Sequence, residues 1–403
     1  MSNARLSIDI NAVVENYRYL AGLAGDTACA ATVKADAYGL GARPVVQALL
    51  ASGCRTFFVA HLDEALAIAD LIKPYGVNGR RMVDCIVLNG LEIGRADEYI
   101  ANGVMPTLNA LDEVDRWRHA LDHYPAAYGE GVRDIGAALH FDTGMNRLGL
   151  DPVETREVLE MPGHLKNIKI THVISHLACA DDADHPMNRQ QLEYFDQIQR
   201  RLTPYLEPHV QWSMANSSGI FLGPNYHYDM VRPGMALYGL NPVPYRHKNP
   251  MRDVVGLYAP VLQIRSVAKN RTIGYGASHT AERDMVVATV ALGYADGFHR
   301  TLNDRGRVYW QGHALPVVGR VSMDSIMVDL SSLNPANMPK SGDMIEVIGP
   351  HQGADILGRA GKTIGYEILT SLGKRFKRTY KFDQDQLART VSHKPSETRT
   401  QAS

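Results

Sequence analysis

Across the first 240 residues, short apolar runs alternate with amphipathic stretches. The runs are CAATVKA, RTFFVAH, DCIVLNG, GVMPTLN, AALHFDTG, IKITHVISHLA, VQWSMANS and MVRPGMALYG, eight strand candidates in succession. Segments between them, such as ARPVVQALLASG and NRQQLEYFDQIQRRL, repeat their apolar residues with the helical period. Eight βα units in series predict an α/β fold that opens with a TIM (β/α)8 barrel over residues 1–240. Beyond NPVPYRHKNPMRD, a polar, proline-rich passage, helical periodicity largely vanishes. Short β-rich runs follow: GLYAPVLQIRSVAK, DMVVATVALGYADG, ALPVVGRV, SIMVDL and GDMIEVIG. They predict a mainly β C-terminal domain over residues 241–385, and QLARTVSHKPSETRTQAS (386–403) has too little to bury and reads as a disordered tail.

Composition narrows the partners. A chain of 403 residues suits two domains with their own cores, and 45% hydrophobic with 21% charged residues excludes a largely disordered protein. Lys plus Arg is 42 against 43 for Asp plus Glu, a net charge of −1, which leaves no basic footprint for nucleic acid or an anionic membrane. Small molecules or other subunits are the expected partners. No run approaches the roughly 20 apolar residues of a membrane span, and MSNARLSIDI lacks the apolar centre of a signal peptide, so a cytoplasmic location is expected. Cys29, Cys54, Cys85 and Cys179 form no C-x-x-C pair and read as buried, reduced thiols rather than a disulfide or metal site.

Polar and ionisable residues collect at the strand ends: Lys34, His61, Asn89, Asn109, Asp142, His176, Asn216 with Ser217, and Arg232. In a barrel these positions converge on one face. Lys34 closes an apolar strand just before a glycine-containing loop, where desolvation lowers the amine pKa and exposes a neutral nucleophile suited to Schiff-base chemistry.

The segment VKADAYGLG around that lysine resembles the pyridoxal-phosphate lysine motif of the alanine racemases. Further segments similar to that family follow in its order: FDTGMNRLG, ISHLACADD, ANSSGI, VRPGMALYG, TIGYGAS, LGYADGFHR, VGRVSMDSIMVDL and TIGYEIL. They cover nearly all of the chain except the tail. The resemblance implies that Lys34 holds the cofactor aldehyde and is the base on one face of the substrate, with Tyr275 the base on the other. Racemisation needs such a pair, because the α-proton leaves one face and returns to the opposite one. A phenol with a pKa near 10 needs assistance to act as a base. The resemblance gives His176 and Arg232 as the supporting chain, and it sets Arg232 against the pyridine nitrogen. An arginine accepts no proton, so the ring stays a weaker electron sink, which favours a racemase over a decarboxylase.

By the same resemblance Tyr38, Ser217 and Tyr366, with backbone amides near Gly234 and Met235, hold the cofactor phosphate, and Asn216 belongs to the same loop. Arg147 resembles the arginine at the cofactor phenolic oxygen and the substrate carboxylate; Met323 offers its amide to that carboxylate, with Asp324 beside it. Two departures stand out. Many members carry a lysine, often carbamylated, where this chain has His140, which cannot supply that anion. Ser322 replaces the cysteine common before the Met-Asp pair. What the resemblance implies is a cytoplasmic, metal-free homodimeric racemase with sites shared between subunits, supplying D-alanine for peptidoglycan. A broader-specificity or serine racemase of the same fold, or a non-catalytic pyridoxal-phosphate carrier, stays open on the residues alone.

Overall fold

The computed structural model describes residues 4–72, 82–123, 135–246 and 248–382. The expected tail, 386–403, lies outside the described residues. A short strand β1 (Arg5–Asp9) leads into the helix Ile10–Ala24. Asp9 caps that helix by accepting Ala12 N at 3.1 Å, and Val13, Tyr17, Leu20 and Ala24 form its buried stripe.

Seven parallel strands then pair in chain order: β3 (Ala31–Thr32), β4 (Thr56–Val59), β5 (Asp84–Val87), β6 (Met105–Leu108), β7 (Ala137–His140), β8 (Ile170–Ile174) and β9 (Gln211–Ser213). Helices cover their outer faces, so TFFV, DCIV and ITHVI are buried almost throughout, the expected pattern for parallel strands covered on both faces. Closure comes from β10 (Met230–Val231), which pairs in parallel with β2 (Ala28–Cys29), the segment just ahead of β3. Ala30 N and Thr32 N donate to Val231 O and Pro233 O, both at 2.9 Å. On the other side Asp229 N and Arg232 N donate to Trp212 O and Ala215 O. The eight runs read from the sequence thus form the barrel.

The second unit is antiparallel. It contains β11 (Val255–Val267), the ribbon β12 (Thr272–Ile273) with β13 (His279–Thr280), then β14 (Met285–Val290), β15 (Arg307–Trp310), β16 (His313–Val318), β17 (Ile326–Asp329), β18 (Met344–Ile348) and β19 (Lys377–Lys381). Strand β14 pairs back onto the long β11, which closes β11, β14, β17, β16, β15 and β18 into a small barrel. Its core joins Val261, Ala288, Leu315, Val328 and Ile345.

One element departs from the boundary read at residue 240. Strand β1 lies in the C-terminal sheet, antiparallel to β11 and parallel to β19. The alternation in RLSID explains it, since Leu6 and Ile8 point into that core while Arg5 and Ser7 face away. The chain therefore begins in the second unit and crosses to the first through Ile10–Ala24.

Asn16 fastens this crossing. Its Nδ2 donates to Leu237 O (3.2 Å) and Arg252 O (3.0 Å), and its Oδ1 accepts Arg252 N at 2.7 Å, all with the residue 1% exposed. Asn16→Ala leaves three backbone groups without these partners. We expect it to cost about 2–4 kcal/mol, read as a lowered denaturation midpoint; a midpoint equal to wild type would show that the joint does not depend on this amide.

Candidate active site

At the carboxyl end of the parallel strands opens a cavity of about 350 Å³. Lys34, Tyr38, Arg147, His176, Asn216, Ser217, Arg232, Gly234, Met235 and Tyr366 line it, as the sequence anticipates; Thr32, Ala35, Leu88, Ser218 and Thr370 also contribute. Ala35 and Ser218 directly follow anticipated residues, and Thr32 lies two positions before Lys34. Leu88 precedes Asn89, and Thr370 lies one helical turn after Tyr366, so face and register were the available signals.

Lys34 follows β3 and enters a turn whose backbone is left-handed. Ala35, Asp36, Ala37 and Tyr38 have φ of 52°, 54°, 52° and 56°. Glu64 supports the turn by accepting Ala35 N at 2.7 Å on one carboxylate oxygen and Ala60 N at 2.7 Å on the other. Asp36 Oδ1 accepts Ala42 N at 2.7 Å. Burial, reinforced by the Arg147 charge, depresses the Lys34 pKa, with Glu64 opposing. Burial thus shifts the balance toward the neutral, nucleophilic amine.

Arg232 is the buried cation at the floor, 6% exposed. It donates from Nη1 to Ser213 Oγ and from Nη2 to Ser175 O, both at 2.5 Å. Burial lowers its pKa to about 10, so it stays charged at neutral pH. His176 nearby is pushed well below the ordinary histidine range by burial and then by Arg232 and Arg147, and is neutral.

Across the cavity, Ser217 Oγ accepts Gly234 N at 2.9 Å and Ala236 N at 3.3 Å, which leaves its own proton for an acceptor in the cavity. The Gly234 amide is thus engaged, and the turn Met235–Tyr238 supplies the free amide at its head. A Cβ at position 234 would stand 2.5 Å from Tyr38 Oη, so glycine is what lets the two groups share this corner. Tyr366 faces Tyr38 with ring centroids 6.2 Å apart, and burial raises its pKa to about 12. A hydroxyl and amide cluster of this kind suits a phosphate group. Asn216 turns inward to its own loop, accepting Gly219 N at 2.9 Å.

Three anticipated residues do not line this cavity. Tyr275 sits between β12 and β13, flanked by Gly274 and Gly276 at positive φ, and is 69% exposed. Met323 is 53% exposed. Asp324 binds Arg375 Nη1 at 2.7 Å, and Arg375 also reaches the buried Asp296 at 2.8 Å, so Asp324 serves an ion-pair network of the C-terminal unit. Of the strand-end residues, His61, Asn89, Asn109 and Asp142 also stay outside the lining. His61 meets Asn89 at 3.2 Å, Asn109 holds His140, and Asp142 caps its own loop through Gly144 N and Met145 N. All four cysteines are free; Cys54 and Cys85 are buried, whereas Cys29 and Cys179 are only partly so.

Residues 8–242 match the alanine racemase N-terminal domain and residues 254–380 the alanine racemase C-terminal domain. An alanine racemase of Rhodospirillum rubrum is 44% identical over 380 residues, 94% of this chain and 96% of that protein. A catabolic alanine racemase of Mesorhizobium japonicum is 44% identical over 380 residues, 94% of this chain and 93% of its own. Among solved structures, the Bartonella henselae alanine racemase with covalently bound pyridoxal phosphate superposes with a TM-score of 0.85 at 39% identity, covering 94% of this chain and all of its own. The biosynthetic enzyme of Pseudomonas aeruginosa gives 0.83 at 32%, covering 95% of this chain and 100% of its own.

The charge balance around Lys34 is open to measurement. In the protein without cofactor, the Lys34 amine should titrate below the value of about 10.4 for a free lysine, as followed by the shift of a ¹³C-methylated side chain. Arg147→Leu removes a like charge and should raise the midpoint; Glu64→Gln removes the opposing carboxylate and should lower it. A Lys34 midpoint at the ordinary lysine value would refute the desolvated-amine description.

Proposed function

The chain belongs to the alanine racemase family, and from that premise we propose that it interconverts L- and D-alanine with pyridoxal phosphate as cofactor. The observation that carries this reading is the convergence, in one cavity, of a depressed lysine, a buried arginine and the Ser217 cradle. The residues present suit the cofactor: Gly234 leaves the phosphate corner open where a Cβ would close it, and the donors there are hydroxyls and amides. When bound, pyridoxal phosphate supplies an electron sink for the charge left at Cα after proton loss.

The roles we assign to the protein groups follow from that. Lys34 binds the cofactor aldehyde and carries a proton at Nζ on one face of Cα. Tyr38, Ser217, Tyr366 and the amide of Met235 hold the phosphate, with Gly234 and Asn216 shaping the loop. Arg232, already fixed by Ser213 and Ser175, would face the pyridine nitrogen as a hydrogen-bond donor that cannot accept a ring proton, which keeps that nitrogen unprotonated. Arg147 is exposed at the cavity wall and takes the substrate carboxylate and the cofactor phenolic oxygen. His176, neutral beside Arg232, completes a polar chain toward the second base.

That second base is Tyr275 Oη, and we propose that it arrives from another subunit. Tyr275 and Met323 are exposed on the C-terminal unit and absent from the cavity of their own chain, an arrangement that suits a homodimer in which each covers the partner's Lys34. Asp324 positions the Met323 segment through Arg375. We further propose that the enzyme works in the cytoplasm and supplies D-alanine for peptidoglycan. Among the described residues no helix is long and apolar enough to cross a membrane.

Two inactive variants test the shared site. Lys34→Ala and Tyr275→Phe should each lose racemisation when assayed alone. A heterodimer purified on two different tags has one site with both lesions and one with neither, so it should recover about half the wild-type rate per dimer. If both bases came from one chain, every site would keep a lesion, and a verified heterodimer without activity would reject the model.

A further inference from the structure

One polar pair beside the cavity has no part in the chemistry above. His140 ends β7, and its Nδ1 lies 2.7 Å from Asn109 Oδ1, which follows β6. Asn109 is fixed by its other end, because Nδ2 donates to Leu88 O at 3.2 Å and to Thr107 O at 3.4 Å. A carbonyl oxygen only accepts, so the proton of the imidazole sits on Nδ1. Burial, then the charge of Arg232, drives the His140 pKa down to about 3, with Arg147 adding to the effect and Asp142 opposing it. The ring is therefore neutral across the physiological range, with a bare lone pair on Nε2. No described residue hydrogen-bonds that nitrogen.

The same ring lies against the loop that carries Arg147. Leu150 N donates to His140 O at 2.8 Å and Asp142 N to Leu150 O at 3.1 Å, which ties both ends of the loop to the end of β7. Gly149, at φ +106°, packs against this strand end: a Cβ there would stand 2.7 Å from Asp142 N and 3.1 Å from His140 Cγ. Arg147, two residues earlier, is exposed at the cavity wall and has no ion-pair or hydrogen-bond partner among the described residues.

We propose that Asn109 and His140 together position Arg147: Asn109 pins the Nδ1–H tautomer, and the Nε2 lone pair, which no described residue engages, accepts from the guanidinium when Arg147 turns in toward the substrate carboxylate. The inference rests on the reading of Arg147 as the carboxylate ligand. A neutral acceptor orients the arginine without cancelling its charge, so the full positive charge stays available to the carboxylate. The charged and titratable groups facing the ring are Arg232 from β10, His176 after β8, and Asp142 and Arg147 from the loop itself.

The test uses cofactor-loaded enzyme and initial rates with L- and D-alanine. His140→Leu should raise KM about tenfold while kcat stays within about threefold. In an Arg147→Leu background the same change should add nothing, because the group it positions is gone. His140→Gln, with a donor and an acceptor on one planar head, should keep KM within about threefold of wild type. Asn109→Asp sets a carboxylate against Nδ1, raises the His140 pKa and converts Nε2 to a donor that repels Arg147. In that variant KM should climb as pH falls from about 9 to about 6, a limb the wild type lacks. Ring-nitrogen NMR of histidine-labelled wild type should show Nε2 unprotonated at neutral pH. The positioning role is overturned by an unchanged KM in His140→Leu, by additive KM effects in the double variant, or by a protonated Nε2; should the leucine variant not fold, the Gln and Asp variants decide. A wild type that racemises no alanine counts instead against the proposed function, and the ring-nitrogen spectra still decide the tautomer.

Discussion

Four consecutive residues with side chains, Ala35 to Tyr38, hold a left-handed backbone, and the geometry of the cavity depends on that turn. Each such residue costs roughly 1–2 kcal/mol through the approach of Cβ to the carbonyl oxygen, so the turn stores about 4–8 kcal/mol. It persists because the surroundings overdetermine it. Glu64 accepts Ala35 N from one side, Asp36 caps Ala42 from within, and Arg378 and Tyr380 of β19 donate to Gly39 O at 2.7 Å and Leu40 O at 3.0 Å. What this arrangement secures is that Lys34 and Tyr38, four residues apart, both border the same cavity.

The clamp on that turn comes from the far end of the chain, which explains why the two units are not independent modules. Strand β19 is held in place by β1, so the first and last described strands pair beneath the loop that carries the lysine. The helix Gly365–Thr370 approaches from the same side, with Leu369 O so close that a Cβ on Gly39 would stand 2.6 Å from it. That helix brings Tyr366 to the phosphate corner. The C-terminal unit thus shapes the cavity of its own chain from below while leaving Tyr275 and Met323 exposed for another.

The barrel was legible because its strands are buried on both faces and read as continuous apolar runs between amphipathic helices. In the C-terminal unit every β run read from sequence became a strand. What escaped were elements whose signals are short or distant. Strand β1 shows a clear alternation over only five residues, and its partners lie some 250 and 370 positions away. The helices Ala354–Ala360 and Gly365–Thr370 are too brief to establish a period. The left-handed turn contains no glycine until Gly39, so nothing local announces it; tertiary contacts impose it. Asn109 and His140 were each visible as residues near strand ends, but their pairing depends on the barrel setting β6 beside β7. Tyr275 has its meaning in a neighbour and could be assigned only through the resemblance.

The central claim is that two groups serve opposite faces of Cα, Lys34 from one chain and Tyr275 from another. The most direct measurement is hydrogen exchange in D₂O with cofactor-loaded Tyr275→Phe, supplied separately with L- and D-alanine. With Lys34 as the remaining base, the α-hydrogen of only one enantiomer should exchange, without formation of the other. Exchange of both enantiomers at similar rates, or racemisation at the wild-type rate, would contradict the two-base arrangement.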